Sequence, residues 1–297
     1  MSRPYRTSGR HINIMINAAK LVFFAQPHKT TFATPSHKIH FPPSPNLRRL
    51  SGSGGSLGTM NANNDPQLEK IFEEKRSLRS RIRRELKKID PIQRSQEDEA
   101  IQNVVLEAPW FKTSRSICAY ISSDALREVD TSKIVSEIIS NPSTESHIQI
   151  SKKLYVPRVE DKNSNMRMLR ISSLDDLVAS SMNLLEPTLI DCNGNPREDV
   201  MEATDPVDLI ILPGLAFDRC GRRLGRSGGY YDLFLKKYQE LVKKQNWKPP
   251  LHVALSYSVQ IVENERIPVT PFDVPVDALI SPSGFIPISS AASRICR

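Results

Sequence analysis

No stretch of this 297-residue chain holds the roughly 20 successive apolar residues that a bilayer-spanning helix needs. Its densest run, Leu209-Ile210-Ile211-Leu212, suits a buried strand instead. Cysteine is scarce and scattered: Cys118, Cys192, Cys220 and Cys296 include no C-x-x-C pair. That spacing argues against a zinc site and against a disulfide framework, and fits reduced thiols. Acidic residues are missing altogether before Asp65, while eight of the 41 Lys and Arg fall in residues 1–60. The chain beyond residue 60 therefore carries 33 residues of each sign, and the formal charge of +8 belongs to the leader alone. A neutral body has no bulk electrostatic case for a polyanion, which argues against nucleic acid as a partner. No internal repeat is visible, which speaks against solenoids and propellers.

The first sixty residues are supplied instead with Arg, Ser and Thr, and hold an amphipathic candidate in RHINIMINAAKLVFF (residues 10–24). Those are the marks of an organellar transit peptide, and the apolar core is too interrupted for a secretory signal. Pro-rich and then Gly/Ser-rich sequence comes next (FPPSPNLRRLSGSGGSLGT), too poor in apolar surface to order itself. Arg48-Arg49-Leu50-Ser51 is a candidate processing point. The expectation is a mitochondrial presequence handled by the organellar import machinery, with a plastid as the alternative, and no membrane anchor. A single folded domain is expected over 65–290.

Within that domain the sequence predicts a helix over 65–88, with Asp65 as cap, Pro66 in the first turn, and Leu68, Ile71, Phe72, Leu78, Ile82, Leu86 and Ile89 as an apolar stripe. A second helix is expected over 92–107, others near 131–140 and 230–244, and a short capped helix over 172–179. Strands are expected over 116–122, 153–157, 166–171, 208–212, 251–257 and 277–281. Strands alternating with helices predict an α/β fold with a mostly parallel sheet.

The segment LPGLAFDRCGRRLGRSGGYYD (212–232) lies directly between a buried strand and a helix, and holds five of the chain's twelve glycines. Strand ends in open α/β sheets and helix N-termini are where anions bind. Glycine permits close approach of backbone N–H groups, and the guanidinium forks of Arg219, Arg222, Arg223 and Arg226 match phosphate oxygens. In physical terms this is a polyphosphate cradle. No G-K-[ST] ends it, so it is not a Walker loop, and no dinucleotide fingerprint is present. A flexible surface hairpin is the bland alternative, but two tyrosines and an acid straight after a glycine pair are unusual in a floppy linker.

GRRLGRSGGYYD resembles the signature of the 5-formyltetrahydrofolate cyclo-ligase family. Lys75-Arg76-Ser77-Leu78-Arg79 resembles that family's N-terminal K-x-x-L-R segment. Tyr120–Glu128 resembles its folate-holding strand and loop, Tyr155–Arg158 and Met166–Ile171 its middle strands, and IPVTPFDVPVD (267–277) its C-terminal element. The likeness runs in order from about 70 to 285. Departures are a serine at Ser227 where a glycine is common, Gly228 where some members have lysine, and a slightly different length at Leu126-Arg127.

The resemblance implies a three-layer α/β/α fold, isomerase–CoA-transferase-like in type, and the ATP- and Mg²⁺-dependent conversion of 5-formyltetrahydrofolate to 5,10-methenyltetrahydrofolate through a phosphorylated formyl group. It implies that Arg226, Arg223 and Lys75 serve the phosphoryl transfer. ATP is assigned to Lys75, Arg76, Ser77, Leu78, Arg79, Arg223, Leu224, Gly225, Arg226, Ser227, Gly228, Gly229, Tyr230 and Tyr231. Folate is assigned to Arg79, Ile121, Glu128, Arg226 and Tyr230, and the metal to Asp232 and Asp273. Lys75 and Arg79 are spaced i,i+4 on one helix face. From the residues alone that face reads rather as a solvated basic surface, and Asp232 also as a helix cap. A sugar-phosphate isomerase, a CoA transferase or a folate-storing binding protein are the rival readings.

Overall fold

A computed structural model describes residues 66–295, apart from 141–151, 181–183 and 264. The leader with its linker, the Asp65 cap and Cys296 lie outside the described residues. The described residues belong to one compact unit, Met60–Arg297.

The chain opens on three helices, α1 (Pro66–Lys88), α2 (Pro91–Glu107) and the short α3 (Pro109–Thr113). Strand β1 (Ser116–Ala119) and helix α4 (Ser132–Ser140) follow. Next come β2 (Lys153–Val159), β3 (Met166–Ile171) and a small hairpin of β4 (Leu177–Ala179) and β5 (Leu185–Pro187). Strand β6 (Leu209–Leu212) leads into a second small hairpin, β7 (Ala216–Phe217) and β8 (Arg223–Leu224). Helix α5 (Tyr230–Gln245), β9 (Leu251–Leu255), β10 (Ala278–Ser281), β11 (Gly284–Pro287) and α6 (Ser290–Ile295) complete it.

Local chemistry sets several of these boundaries. Asp90 caps α2 by accepting from Ile92 N (2.9 Å) and Gln93 N (3.0 Å), with Pro91 in the first turn. Asn246 ends α5 in the left-handed conformation, its N–H reaching Lys243 O. The helix expected over 172–179 needs correction: only Leu174–Asp176 turns, as a 3₁₀ segment capped by Ser173, and 177–179 is strand. The reason is tertiary, since Val178 pairs with Glu186 and the backbone bonds go to the hairpin. The stripe on α1 also narrows, because Phe72 is 48% exposed while Leu78, Ile82 and Leu86 are buried.

Seven strands form the main sheet in the order β11-β10-β9-β6-β1-β2-β3. The five central strands, β10 to β2, are mutually parallel, and β3 and β11 close the edges antiparallel. Both faces are covered, and the period-2 alternation of the strands sorts their side chains between two cores. Ile117, Ala119, Leu154, Val156, Leu209, Ile211, Val253 and Leu255 share a core with residues of α1 to α4. Cys118, Tyr155, Ile210, Leu212 and Ala254 pack with Phe234, Leu235, Tyr238 and Val242 of α5 on the other face. The result is the expected α/β/α arrangement. From β1 the chain moves to β2 on one side, then returns to place β6 on the other. The carboxyl ends of β1 and β6 therefore flank a topological switch point, where ligands bind in such sheets.

Candidate active site

A cavity of about 320 Å³ opens at that switch point. Tyr120 and Ile121 reach it from beyond β1, Pro213 and Gly214 from beyond β6. The turn before α5 supplies Gly225, Arg226, Gly228 and Gly229, and the first turn of α5 supplies Tyr230, Tyr231 and Asp232. Pro157, Val159 and Met166 line it from β2 and β3, and Leu184, Leu185 and Glu186 from the β5 hairpin. A wider depression of about 930 Å³ lies across Glu128, among Lys87, Asp90, Arg94, Asp98 and Arg127, but it takes in no residue of the glycine–arginine turn. The smaller cavity is therefore the candidate site.

The turn's conformation follows from its letters. Gly229 caps α5 at φ +68°, a left-handed value that glycine adopts without penalty. A Cβ at Gly228 would strike the ring of Tyr230, which folds over it. The Tyr230 hydroxyl donates to Asp161 O (2.9 Å), and Ser164 Oγ donates to Gly228 O, so the loop after β2 holds the turn from outside.

Arg226 binds two parts of the loop after β1: Nε donates to Glu128 Oε1 (3.2 Å) and Nη2 to Leu126 O. Burial lowers the Arg226 pKa, and Glu128 only partly restores it. Burial likewise raises the Glu128 carboxyl above its ordinary value, with Arg226 and the Ser123 N–H opposing. The Glu128 carbonyl accepts from the Tyr257 hydroxyl (3.0 Å) and from Arg94 (3.3 Å), so its backbone is pinned as well. Arg223 is 4% exposed. It donates to Asp232 Oδ1 (2.9 Å) and Pro213 O (3.4 Å), lies 5.8 Å from the Tyr231 ring centroid, and keeps a buried Nε with no acceptor among the described residues. An orphaned buried donor of this kind is costly unless a ligand satisfies it.

Helix α1 meets Asp273 and the same turn through residues one helical turn apart. Lys75, only 4% exposed, bonds both oxygens of Asp273 (2.6 and 2.5 Å). Arg79 Nε donates to Gly225 O (2.8 Å), and Arg83 Nη2 to Arg226 O (3.1 Å). The K-x-x-L-R face is thus a contact surface rather than a solvated one. Burial disfavours the Asp273 carboxylate, but Lys75 and then the Thr270 N–H and hydroxyl outweigh it and hold its pKa below the ordinary value. Asp232 Oδ1 takes Arg223 and the Val274 N–H (3.1 Å).

Of the residues singled out in the sequence, Ile121, Glu128, Arg223, Gly225, Arg226, Gly228, Gly229, Tyr230, Tyr231 and Asp232 converge on the cavity wall. Arg79 reaches the turn from α1 and Lys75 reaches Asp273, and neither lines the cavity. Arg76, Ser77 and Ser227 are exposed, and Leu78 and Leu224 are buried in the core of the α1 face. Sequence reasoning missed Glu186, Val159, Met166, Tyr257 and Arg94. Nothing local marks them, because their importance comes from strands and loops far apart in the chain.

Residues 71–282 match the model of the 5-formyltetrahydrofolate cyclo-ligase family. The chain is 56% identical over 269 residues to the "5-formyltetrahydrofolate cyclo-ligase, mitochondrial" of Arabidopsis thaliana, covering 89% of this chain and 96% of that one. It is 30% identical to the mouse 5-formyltetrahydrofolate cyclo-ligase, over 69% of this chain and 92% of the relative. The NMR structure of the Aquifex aeolicus 5,10-methenyltetrahydrofolate synthetase is similar with a TM-score of 0.56 and 26% identity, covering 73% of this chain and 93% of that one.

Proposed function

The chain belongs to the 5-formyltetrahydrofolate cyclo-ligase family, and from that premise we propose that it converts 5-formyltetrahydrofolate to 5,10-methenyltetrahydrofolate, with ATP as co-substrate and ADP and phosphate as by-products. The formyl carbon is a poor electrophile, because the amide nitrogen donates its lone pair into the carbonyl. Transfer of the γ-phosphoryl group to the formyl oxygen makes that oxygen a leaving group. The neighbouring anilino nitrogen then attacks the carbon and loses its proton, and phosphate departs as the ring closes.

Phosphoryl transfer asks a protein mainly for positioning and charge neutralisation. The observation that carries the reading is the arginine–glycine turn closing the switch-point cavity at the start of α5, with Arg226 bonded to Glu128 inside it. In this proposal the first amides of α5 and the turn face the phosphates, together with Arg226. The orphaned Nε of Arg223 is a further donor for them. Lys75 supplies positive charge beside the turn. Ile121 and Tyr230 flank the pterin.

Mg²⁺ is part of the proposal. Mg²⁺ keeps several waters and takes only one or two carboxylates beside substrate phosphates. A cluster of three ligating side chains, of which there is none among the described residues, is therefore not required. Asp232 fits that need, since its contacts with Arg223 and the Val274 N–H both fall on Oδ1. Asp273 already meets Lys75, the Thr270 N–H and the Thr270 hydroxyl, so its second place is contingent on Lys75 turning to phosphate. Bound there, the ion would neutralise phosphate charge and orient the transferring group.

We also propose that residues 1–60 are a removable mitochondrial presequence with its linker, and that 65–290 form the catalytic domain. An acid-free, Arg-containing leader supports this, as does a likeness to the mitochondrial relative that takes in 89% of the chain. The activity is tested by following methenyl product absorbance with and without ATP. ATP-dependent product is the expected result; turnover without ATP, or folate binding with no turnover, overturns the reading. Calorimetric titration with Mg-ATP separates it from isomerase or CoA-transferase chemistry, which needs no triphosphate.

A further inference from the structure

Directly after β9 the chain makes one 3₁₀ turn, Ser258–Gln260, with Tyr257 at its cap. Both ends of that turn are buried, Tyr257 at 0% exposure and Gln260 at 2%. The turn closes on itself, since Tyr257 N donates to Gln260 Oε1 (2.9 Å) and Gln260 N to Tyr257 O (3.0 Å). The rest of the two side chains serves two different walls of the cavity. Gln260 Nε2 donates to Gly214 O (2.9 Å) and Leu215 O (3.2 Å), just past β6. Leu215 N in turn donates to Leu224 O (2.8 Å), so the amide seats the hairpin that carries Arg223. On the other wall the Tyr257 hydroxyl lies 3.0 Å from Glu128 O and 2.7 Å from Asp98 Oδ1, and accepts from Arg94 Nε (3.0 Å). Ser258 N donates to Glu97 Oε2 (2.9 Å), which fixes the turn to α2. Neither Tyr257 nor Gln260 lines the cavity. A buried polar network with its partners in place holds the groups it joins in one arrangement.

Resting on the cyclo-ligase reading, we propose that Tyr257 is a positioning residue: from a turn that Gln260 anchors to the β6 side, its hydroxyl fixes the loop after β1, and through Glu128 it sets the place of Arg226. The chain of contacts is short. Tyr257 and Arg94 hold the Glu128 carbonyl, and the carboxylate of the same residue holds Arg226 Nε (3.2 Å). Arg226 also meets Leu126 O in that loop, so it spans from the arginine–glycine turn the gap that the Tyr257–Gln260 turn spans from behind. The two loops leave neighbouring strands, β1 and β6, and nothing in the sheet itself fixes how far apart they stand beyond the strand ends. Phosphoryl transfer depends on that spacing, because a shift of about 1 Å that originates away from the reacting atoms costs about 100-fold.

The test follows ATP-dependent conversion by the full-length protein as wild type, Tyr257→Phe, Arg226→Ala and the double variant. Tyr257→Phe removes one oxygen and keeps the ring in the core. It is expected to lower kcat about 10-fold, the factor that one lost hydrogen bond allows, with KM for folate and for ATP within about twofold of wild type. Beside Arg226→Ala the same change is expected to cost less than about twofold, because the group it acts through is gone. A tyrosine that only supports the fold would lose the same factor in both backgrounds. Wild-type kcat in Tyr257→Phe overturns the proposal, and so does an undiminished loss beside Arg226→Ala. Should Tyr257→Phe not fold, Arg94→Lys gives up the forked donor to the Glu128 carbonyl and is held to the same two outcomes. Absence of ATP-dependent turnover in wild type would instead bring down the cyclo-ligase reading, and this assignment with it.

Discussion

Ser227 has φ +114°, a backbone conformation that a side chain rarely adopts and a glycine adopts freely. Strain therefore sits inside the arginine–glycine turn. Ser227→Gly is expected to stabilise the protein by about 1 kcal/mol, since relief of strain exceeds the entropic cost of glycine; the urea midpoint measures it. Arg226 is the side chain that joins the turn to the loop after β1. Arg226→Ala is expected to lower kcat at least about 100-fold while the protein still folds, and wild-type rates would contradict its role. The same variant makes a pH prediction. A carboxyl whose folded pKa is raised contributes stability that is present below its unfolded pKa, ordinarily about 4.5, and lost as pH rises through the folded value. Removing Arg226 removes a cause that lowers the Glu128 pKa. The stability deficit of Arg226→Ala should therefore be larger at pH 8 than at pH 5, as read by thermal unfolding.

Helix α1 acts as a unit. Lys75, Arg79 and Arg83 stand at successive i,i+4 positions and meet Asp273, Gly225 O and Arg226 O in turn. Leu78, Ile82 and Leu86 seat the neighbouring face in the core. The basic stripe is thus positioned by the apolar stripe beside it. Because the Asp273 pKa is depressed, its contribution to stability is present above its unfolded value, ordinarily about 3.8, and is lost as pH falls through the folded one. Asp273→Asn should be less stable than wild type by about 1–3 kcal/mol at pH 7, the range for a hydrogen bond to a charged group. The gap should close in urea titrations below about pH 3.8. The β4–β5 hairpin is the other small element that matters, because it carries Glu186 to the cavity.

At the scale of the molecule, the sheet order places the site. The β1 and β6 ends diverge because their connections leave in opposite directions, and the cavity occupies the gap. Every side chain that lines this cavity or docks on its turn lies between Lys75 and Asp273. A protein of residues 61–297 is accordingly expected to fold and to match the full chain in kcat/KM. A shortened protein that fails to fold would count against the leader reading. A fluorescent protein carrying residues 1–60 is expected to enter mitochondria, and import into plastids or retention in the cytosol would overturn the localisation.

How much of this could be read from letters depends on the range of the interaction involved. The parallel-sheet strands were legible because side chains alternate between two apolar faces, leaving continuous runs such as Leu209–Leu212. The arginine–glycine turn was legible because glycine and arginine act locally, through backbone freedom and charge. The short helix expected over 172–179 failed because propensity there is weak and the pairing of Val178 with Glu186 overrides it. The amino-acid sequence on its own determined the fold class, the position of the arginine–glycine turn and the separation of a basic leader from a neutral body. Only the tertiary structure decided that Lys75 is buried against Asp273, that Arg226 holds Glu128, and that Glu186 meets Val159 N at the cavity. Those facts join residues 27 to 198 positions apart, and no local pattern encodes which distant backbone or charge will meet a side chain once the layers close.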